Sequence, residues 1–327
     1  MNLKRIASLL PAATEIVAAL GAFEKLVGRS HECDWPADVL KLPVLTQPKI
    51  DASFSSGGID QQVRAVDSGS LFSLDQATLA RLAPDLILTQ ATCRVCAIDV
   101  NEVAAVTAAI NLPEGESPQV LTLSPQSLSD LFADIHRVGE AIGCQKGSGG
   151  VVAALQARCN AVRDRTAEAV QIAGRKPRVA IVEWLDPPMS AGNWVPELIR
   201  LAGGTDALDA TSNNDNLANQ IATNQPPKSH WISWSDLVSA DPDVVLLTPC
   251  GFELERVLTE ATSIAVWPHL ANLRATHEGR LVAVDGHHLF NRPGPRLIDS
   301  LEVLAELLHP GTFVFETTQQ FSRIVCR

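Results

Sequence analysis

Tyrosine is absent from the 327-residue sequence, methionine occurs only twice, and there is no long hydrophobic run. Because no stretch reaches the ~18 uninterrupted apolar residues of a transmembrane helix, we expect no membrane insertion. Basic residues number 26 against 37 acidic ones, with a net charge of −11 and no basic block. Nucleic acid is therefore not an expected partner, since phosphate binding requires clustered Lys and Arg.

Recognised catalytic motifs are missing as well. The sequence contains neither a GxSxG nor an HExxH motif. Gly57-Gly58 is not followed by the Lys-Ser/Thr pair of a phosphate-binding loop. These absences favour a binding protein over an enzyme.

The residues that are present have the composition of a folded globular protein. Hydrophobic residues make up 46% and charged residues 19% of a chain long enough for two domains of roughly 150 residues. Seven cysteines, an odd number, favour reduced thiols over a secreted disulfide framework. The first apolar run is interrupted by Pro11, Thr14 and Glu15, unlike the apolar region of a signal peptide. We therefore predict a cytoplasmic location, with a periplasmic one as the alternative.

Four sequence elements occur twice in the same order. The matched pairs are Arg5–Leu10 with Arg178–Trp184, Glu15–Gly21 with Glu197–Gly203, Ala83–Leu88 with Asp241–Leu247, and Val120–Leu123 with Leu281–Val284. Short apolar strands alternate with helical segments in both halves. This order predicts an α/β fold of two similar parallel-sheet lobes.

A helical segment lies between the repeated halves. Apolar residues recur at helical spacing from Leu128 to about Gln171, which predicts one long backbone helix joining the lobes, with a break at Gly147–Gly150. The expected organisation is an N-terminal α/β lobe (1–125), a linking helix (126–172) and a C-terminal α/β lobe (173–327).

Side chains able to bind a ligand follow the predicted strands. In open parallel sheets, ligands bind beyond the carboxyl ends of the strands. In the first half the candidates are His31, Glu32, Cys33, Gln90, Cys93 and Cys96. In the second half they are Trp184, Phe252, His287, His288, Phe290 and Arg292, together with Trp231.

The sulfur and imidazole groups of the first half leave three interpretations open. His31, Cys33, Cys93 and Cys96 are the ligand set of a tetrahedral zinc site. Inert packing thiols and a redox-active Cys-x-x-Cys pair fit the same residues.

The imidazoles and indoles of the second half also allow more than one interpretation. His287 and His288 can bind a metal, hydrogen-bond a polar ligand, or cap the helix that follows. Trp184, Trp194 and Trp231 fit either a buried core or an aromatic face for a ligand.

Six segments together resemble the substrate-binding proteins of the vitamin B12 and iron-siderophore class, most closely the cobalamin-binding protein family. They are RIASLLPAATEIVAALG (5–21), HECDWP (31–36), APDLILTQ with CRVCA (83–97), VEWLDPPMSAGNWVPELIRLAGG (182–204), DPDVVLLTPCGF (241–252) and VDGHHLFNRPGPRLID (284–299). The resemblance implies a class III periplasmic-binding-protein-like fold. In such a fold two α/β lobes on one long helix hold a corrinoid in the cleft between them, with little closure.

The resemblance also implies roles for particular residues. Trp231 and Trp184 fall at or near the positions of aromatic side chains that contact the macrocycle, and His288 falls where a polar residue bonds its amides. In the first lobe the expected aromatics are replaced around Glu32, Gln47 and Gln90, beside the cysteines. This departure suggests that a Cys or His there binds a metal ion or the cobalt itself.

We therefore predict a non-catalytic binding protein for a corrinoid such as cobalamin. Iron-siderophore, haem or metal-ion binding is the first alternative, and a metal-dependent enzyme with Glu32 or Glu183 as base is the second. The resemblance offers an ABC transporter permease as a partner, contacted through a carboxylate on each lobe, for which Asp75 and Asp236 are the counterparts. The predicted cytoplasmic location favours a corrinoid binder that is not coupled to import.

Overall fold

The computed structural model describes residues 4–66, 70–90, 103, 107, 110, 117–209 and 227–325. The chain forms two compact units. Unit 1 comprises Met1–Phe54, Gln61–Ala154 and Pro293–Pro295; unit 2 comprises Ser55–Asp60, Leu155–Arg292 and Arg296–Arg327. The boundary near residue 154 falls inside a long helix, and the predicted division at 125/126 and 172/173 stays a prediction.

Unit 1 is built on a parallel sheet. Its strands are β1 (Ile6–Ser8), β2 (Leu26–Gly28), β3 (Thr46–Pro48), β4 (Phe72–Leu74), β5 (Leu86–Gln90) and β6 (Gln119–Leu123). Four of them pair in parallel in the order β2-β1-β5-β6, while β3 and β4 form a separate antiparallel pair. The side chains of Leu86, Ile87 and Leu88 are fully buried, as expected for a parallel strand that is covered on both faces.

Helices connect these strands. They are α1 (Pro11–Ala19), α2 (Ser56–Ala65), α3 (Gln76–Leu82) and α4 (Leu128–Ala141), with short 3₁₀ helices at Phe23–Lys25 and Ala37–Lys41. Pro11 occupies the first turn of α1, where its missing N–H costs nothing. The first turn of α2 belongs to unit 2.

The long helix of the chain is α5 (Gln145–Ala173), with 29 residues. It contains Gly147, Gly149 and Gly150 without interruption, so the break predicted there is wrong. The chain instead breaks between α4 and α5, where Gly143 adopts a φ of +74°. A glycine costs a helix only about 1 kcal/mol relative to Ala, which tertiary packing readily offsets.

Unit 2 has a larger, mixed sheet. Its strands are β7 (Arg178–Leu185), β8 (Pro188–Ser190), β9 (Thr205–Asp206), β10 (His230–Trp231), β11 (Val244–Leu247), β12 (Leu281–Val284) and β13 (Ser322–Ile324). The order is β10-β8-β7-β11-β12-β13, with β9 also pairing with β7. β7, β9, β11 and β12 run parallel, whereas β8, β10 and β13 add antiparallel pairings.

The helices of unit 2 follow its strands. They are α6 (Val195–Leu201), α7 (Trp234–Ala240), α8 (Leu254–Ala261), α9 (Trp267–Leu270), α10 (Arg274–His277), α11 (Leu297–Leu308) and α12 (Glu316–Phe321). All four residues of β11 are at most 1% exposed, and each such side chain stabilises the fold by roughly 1.5–3 kcal/mol.

The predicted fold class is confirmed: both units contain parallel strands alternating with helices. The matched glycines Gly21 and Gly203 have φ values of +69° and +72°, so the two repeated helices end in the same left-handed turn. The antiparallel strands β8, β10 and β13 of unit 2 were not predicted.

Candidate functional site

A polar cluster surrounds His31 in unit 1. Nδ1 of His31 lies 2.6 Å from Oγ1 of Thr46, and the Thr46 hydroxyl donates to Oγ of Ser30 at 3.1 Å. Because that hydroxyl has a single proton, His31 Nδ1 is the donor to Thr46. The ring then places Nε2 3.3 Å from Oε1 of Glu32, and it packs 5.0 Å from the ring of Phe72.

Cys33 points into the interior of unit 1. Its side chain is 1% exposed, and its Sγ lies 3.1 Å from Oγ1 of Thr14, which donates in turn to Oγ of Ser8. Buried thiols of this kind are usually inert. Cys93 and Cys96 lie outside the described residues, so the zinc set of His31, Cys33, Cys93 and Cys96 stays a prediction.

Three further unit 1 candidates are accessible at least in part. Gln47 is exposed on β3, whereas Glu32 and Gln90 are half-buried. Gln90 is the last residue of β5 and pairs with Leu123 of β6. These side chains offer carboxylate and amide groups, and their role in ligand binding stays a prediction.

An aromatic and cationic cluster occupies unit 2. The rings of Trp184 and Phe252 meet edge to face at 5.5 Å, and the guanidinium of Arg256 lies 3.5 Å from the centre of the Phe252 ring. Phe252 is 1% exposed, so it supports its neighbours more than it presents a face. Partial burial lowers the pKa of Arg256, opposed by the charge of Glu260.

Two imidazoles follow β12 in the same unit. The rings of His287 and His288 meet at 4.8 Å. Nη2 of Arg292 donates to Nε2 of His287 at 2.8 Å, and Nδ1 of His288 lies 3.0 Å from Oδ1 of Asp285. Burial acts to raise the pKa of Asp285, but hydrogen bonds from His288 outweigh it and the pKa lies below its ordinary value.

The two imidazoles lie beside the aromatic cluster. The backbone N–H of His287 donates to the carbonyl of Phe252 at 3.1 Å, which joins the loop after β12 to the loop after β11. The ends of β7, β11 and β12 therefore collect an indole, two imidazoles and two guanidinium groups in one unit. Such a surface suits a ligand with a flat apolar face and anionic or metal-bound groups.

Trp231 is in a different local setting. It lies on β10, which pairs antiparallel with β8, and its side chain is 52% exposed. Its neighbour His230 contacts the hydroxyl of Ser190 on β8 at 2.9 Å. The indole is accessible, and the ligand contact that the resemblance implies for it stays a prediction.

Phe290 and Trp194 are both buried in unit 2, and the ligand contact predicted for Phe290 stays a prediction. Phe290 is 1% exposed with a φ of +62°, and Nε1 of Trp194 donates to its carbonyl oxygen at 2.7 Å. This hydrogen bond satisfies the buried indole and fixes the loop that follows His288.

The two predicted docking carboxylates both act as helix caps. Asp75 accepts from the backbone N–H of Thr78 at the start of α3, and this hydrogen bond lowers its pKa. Asp236 forms a capping box with Ser233 at the start of α7, and the Ser233 side chain lowers the pKa of Asp236. Both carboxylates are charged at neutral pH, and their role in docking stays a prediction.

The sequence interpretation missed Arg256 and Asp285 as members of the unit 2 cluster. Arg256 comes four residues after Phe252 and just inside the helix that follows β11, a position from which it could have been inferred. Asp285 directly follows β12 and precedes the two histidines.

A sequence model of the periplasmic binding protein family matches residues 6–287, and the chain belongs to this family. It is 25% identical over 313 residues to an uncharacterized ABC transporter substrate-binding lipoprotein, YvrC, of Bacillus subtilis (strain 168), covering 95% of this chain and 81% of that protein. The family consists of non-catalytic substrate-binding proteins.

Two solved structures show the same fold. A periplasmic haem-binding protein from Pseudomonas aeruginosa superposes with a TM-score of 0.72 at 20% identity, covering 96% of each chain. The periplasmic vitamin B12-binding protein BtuF of Vibrio cholerae superposes with a TM-score of 0.63 at 18% identity, covering 93% of this chain and 96% of that one.

These relatives show that the predicted cytoplasmic location is wrong. The family is periplasmic, and the Bacillus relative is named a lipoprotein, which points to an extracytoplasmic location. A buried free thiol does not identify the compartment of a protein: burial raises the pKa of Cys159 to about 11, so that thiol stays protonated and unreactive. None of the helices in the described ranges is long and apolar enough to cross a membrane.

Proposed function

We propose that this protein binds a tetrapyrrole-type macrocycle, with haem as the first candidate, and presents it to an ABC transporter permease. The observation that carries the proposal is the unit 2 cluster, in which Trp184 adjoins the Phe252–Arg256 pair and the two imidazoles lie beside it. An indole face matches a flat conjugated ring, and imidazole is a common ligand for its metal.

The two guanidinium groups favour haem over a corrinoid. Haem carries two carboxylates, whereas a corrin ring is fringed by neutral amides that gain little from a cation. Arg256 and Arg292 both lie in this cluster, and guanidinium groups bind carboxylates with charge-assisted hydrogen bonds. The haem-binding relative from Pseudomonas aeruginosa supports the same direction.

The lack of tyrosine restricts how haem iron could be bound. Axial ligands in proteins are His, Cys, Met or Tyr, and this chain has no Tyr. His288 has a carboxylate 3.0 Å from its Nδ1, the arrangement that commonly orients a metal-binding imidazole. We therefore propose that the imidazole of His288 would hold the haem iron, with His287 packed against it.

A corrinoid is the second candidate. The six sequence segments and the B12-binding relative support it, and Trp184, Trp231 and His288 would then serve as the aromatic and polar contacts. Cobalt, like iron, accepts imidazole, so the same histidines would be used. Phe252 and Phe290, predicted as ligand contacts, serve in this proposal as buried supports.

A permease partner follows from the relatives' role in ABC transport. The Bacillus relative is named for this role, and we propose that Asp75 and Asp236 are the charged groups that face a permease. Their carboxylates accept from backbone N–H groups, and that of Asp236 also accepts from the Ser233 hydroxyl, so both present fixed negative charges.

Calorimetric titration with hemin, hemin dimethyl ester and cyanocobalamin tests the proposal. We expect hemin to bind at least about tenfold more tightly than its ester, because the ester has lost both carboxylates. Equal affinity for hemin and its ester would remove the role of the arginines. Binding of cyanocobalamin alone would establish the second candidate, and heat from none of the three at tens of micromolar protein would refute both.

A further inference from the structure

The first turn of α2 is anchored by a carboxylate from a distant helix. The backbone N–H and the hydroxyl of Ser56 both donate to Oε1 of Glu260, at 3.0 and 2.6 Å. Ser56 is fully buried, and the segment Ser55–Asp60 belongs to unit 2 together with Glu260. Two donors on one carboxylate oxygen make this contact specific.

The placement of Glu260 is unfavourable for its own helix and favourable for α2. Glu260 lies in the last turn of α8, where the helix dipole disfavours a negative charge. The first turn of α2 contains no acidic residue, so its positive end lacks a carboxylate of its own. Glu260, on another helix, supplies a negative charge at the positive end of α2. This favourable interaction accounts for its position in the last turn of α8.

The same turn of α2 lies against the segment that follows Trp184. A Cβ atom at Gly57 would collide with Oδ2 of Asp186 and would lie 3.1 Å from its Cγ. Glycine at this position lets the α2 backbone lie close to the Asp186 side chain. The turn containing Ser56 and Gly57 therefore packs against Asp186, the residue that follows β7.

Glu260 also acts on the second support of Trp184. Arg256 lies one turn earlier on α8, and the charge of Glu260 acts on its guanidinium. Arg256 covers the Phe252 ring, whose edge contacts Trp184. The carboxylate of Glu260 thus acts on both the first turn of α2 and Arg256.

We propose that Glu260 is a positioning residue for the ligand-binding face of unit 2. It holds the first turn of α2 through Ser56 and steadies Arg256 on Phe252, so that Trp184 keeps one orientation. The inference rests on the proposed function insofar as Trp184 contacts the ligand. Loss of Glu260 would shorten the lifetime of the bound state more than it would slow ligand entry, because the face would be looser but equally accessible.

Hydrogen exchange of the ligand-free protein tests the anchor without reference to any ligand. In Glu260→Gln we expect the amides of residues 56–60 to exchange about tenfold faster. The substitution replaces a charged carboxylate acceptor by a neutral amide oxygen, which forms weaker hydrogen bonds. Glu255→Gln removes the same charge from the exposed face of α8 and should leave these amides unchanged. Equal exchange in the wild type and Glu260→Gln would overturn the anchor.

Hemin binding kinetics test the positioning role. We expect Glu260→Gln to raise the dissociation rate constant about five- to tenfold while the association rate constant changes less than about twofold. A change confined to association, or a dissociation rate equal to that of Glu255→Gln, would overturn it. If the wild type binds no macrocycle, the proposed function fails while the exchange result still decides the anchor.

A steric variant gives an independent check. Gly57→Ala should displace the α2 turn from Asp186 and reproduce both the faster exchange and the faster dissociation. Gly150→Ala is the matched control, because a Cβ there meets nothing within 4 Å. A Gly57→Ala protein with wild-type exchange and dissociation would contradict the close approach as a support for Trp184.

Discussion

In both unit 1 and unit 2, a short helix that ends in a left-handed residue leads into a buried strand. The helices α3 and α7 both have seven residues, and each ends in a left-handed residue, Ala83 or Asp241, with φ values of 42° and 41°. A Pro-Asp pair follows in both. The carboxylate of Asp85 accepts the backbone N–H of Arg5 at 2.6 Å, and that of Asp243 accepts the N–H of Arg178 at 2.8 Å.

The units differ where their strands end. Unit 1 places hydroxyl groups, an imidazole and a buried thiol around His31, whereas unit 2 places rings and guanidinium groups around Trp184. Unit 2 also extends its sheet with antiparallel strands. The comparison teaches that the repeated part is the scaffold, and that binding chemistry is added separately to each copy.

The largest expected effect concerns the edge of the unit 2 sheet. Burial raises the pKa of Asp206 on β9 to about 6, so the carboxylate is ionised at pH 7.5 at a cost on the order of 3 kcal/mol. Asp206→Asn should remove that cost at pH 7.5 and change little at pH 4, where Asp206 is protonated in the folded protein. Urea denaturation at both pH values measures this.

An exposed aspartate of unit 1 is the control for that edge. Asp38→Asn should change stability by less than about 0.5 kcal/mol at either pH, because its side chain is 67% exposed. If Asp206→Asn were destabilising at pH 7.5, the burial of that carboxylate would be compensated by a partner and the account of the β9 edge would be wrong.

The next effect compares the strand ends as binding surfaces. Trp184→Ala should raise the Kd for hemin about 30- to 150-fold, the loss of about 2–3 kcal/mol that is typical of an aromatic contact. Gln90→Ala, at the end of β5 in unit 1, should raise it less than about threefold. Calorimetric titration checks both. Equal losses would mean that the two units contribute alike.

Much of the parallel scaffold could be predicted from the sequence. The strand Leu281–Val284 has the predicted bounds, and β11 ends at Leu247 as expected, because continuous apolar runs between turn residues are clear signals. The matched glycines Gly21 and Gly203 identified the repeated helices, since a left-handed turn favours glycine.

The antiparallel additions could not be predicted. Strands β8, β10 and β13 have only two or three residues, too few to show an alternating pattern. The burial of single rings could not be predicted from the sequence either. Phe252 and Phe290 are predicted as ligand contacts, yet both are 1% exposed. Whether a ring faces ligand or core depends on tertiary packing that a local pattern does not record.

A smaller effect separates the two repeated aspartates. Burial alone would raise the pKa of Asp243, but Arg175, the N–H of Arg178 and Arg274 outweigh it and lower the pKa to about 2. Asp243→Asn should therefore cost about 1–2 kcal/mol at pH 7, allowing for solvent screening. This contribution is present above the unfolded pKa near 3.8 and is lost as the pH falls through 2.

The unit 1 counterpart should respond less. Asp85→Asn keeps an oxygen for the N–H of Arg5, so we expect a loss below about 0.5 kcal/mol. Denaturation of both variants between pH 7 and pH 2 makes the comparison. If Asp85→Asn lost more stability than Asp243→Asn, the hydrogen bond shared by the two aspartates, and not the pairing of Asp243 with arginine, would make the larger contribution to stability.

The smallest effect concerns the left-handed residues. Ala83→Gly should stabilise the protein by about 0.5–1 kcal/mol, because glycine adopts a positive φ without strain. Asp241→Gly should yield no net gain, since it also removes the ion pair with Arg274 at 3.0 Å. Thermal denaturation of both variants tests whether relief of the same backbone strain changes stability differently in the two units.

The absorption spectrum of hemin during titration tests the central claim most directly. For the wild type we expect a saturable shift of the Soret band at one hemin per chain with a Kd of about 1 µM or below. Replacement of His287 and His288 by Ala together should abolish or displace that band. A Soret band that stays identical to free hemin in the wild type, or that is unchanged in the double variant, would contradict haem binding on the unit 2 face.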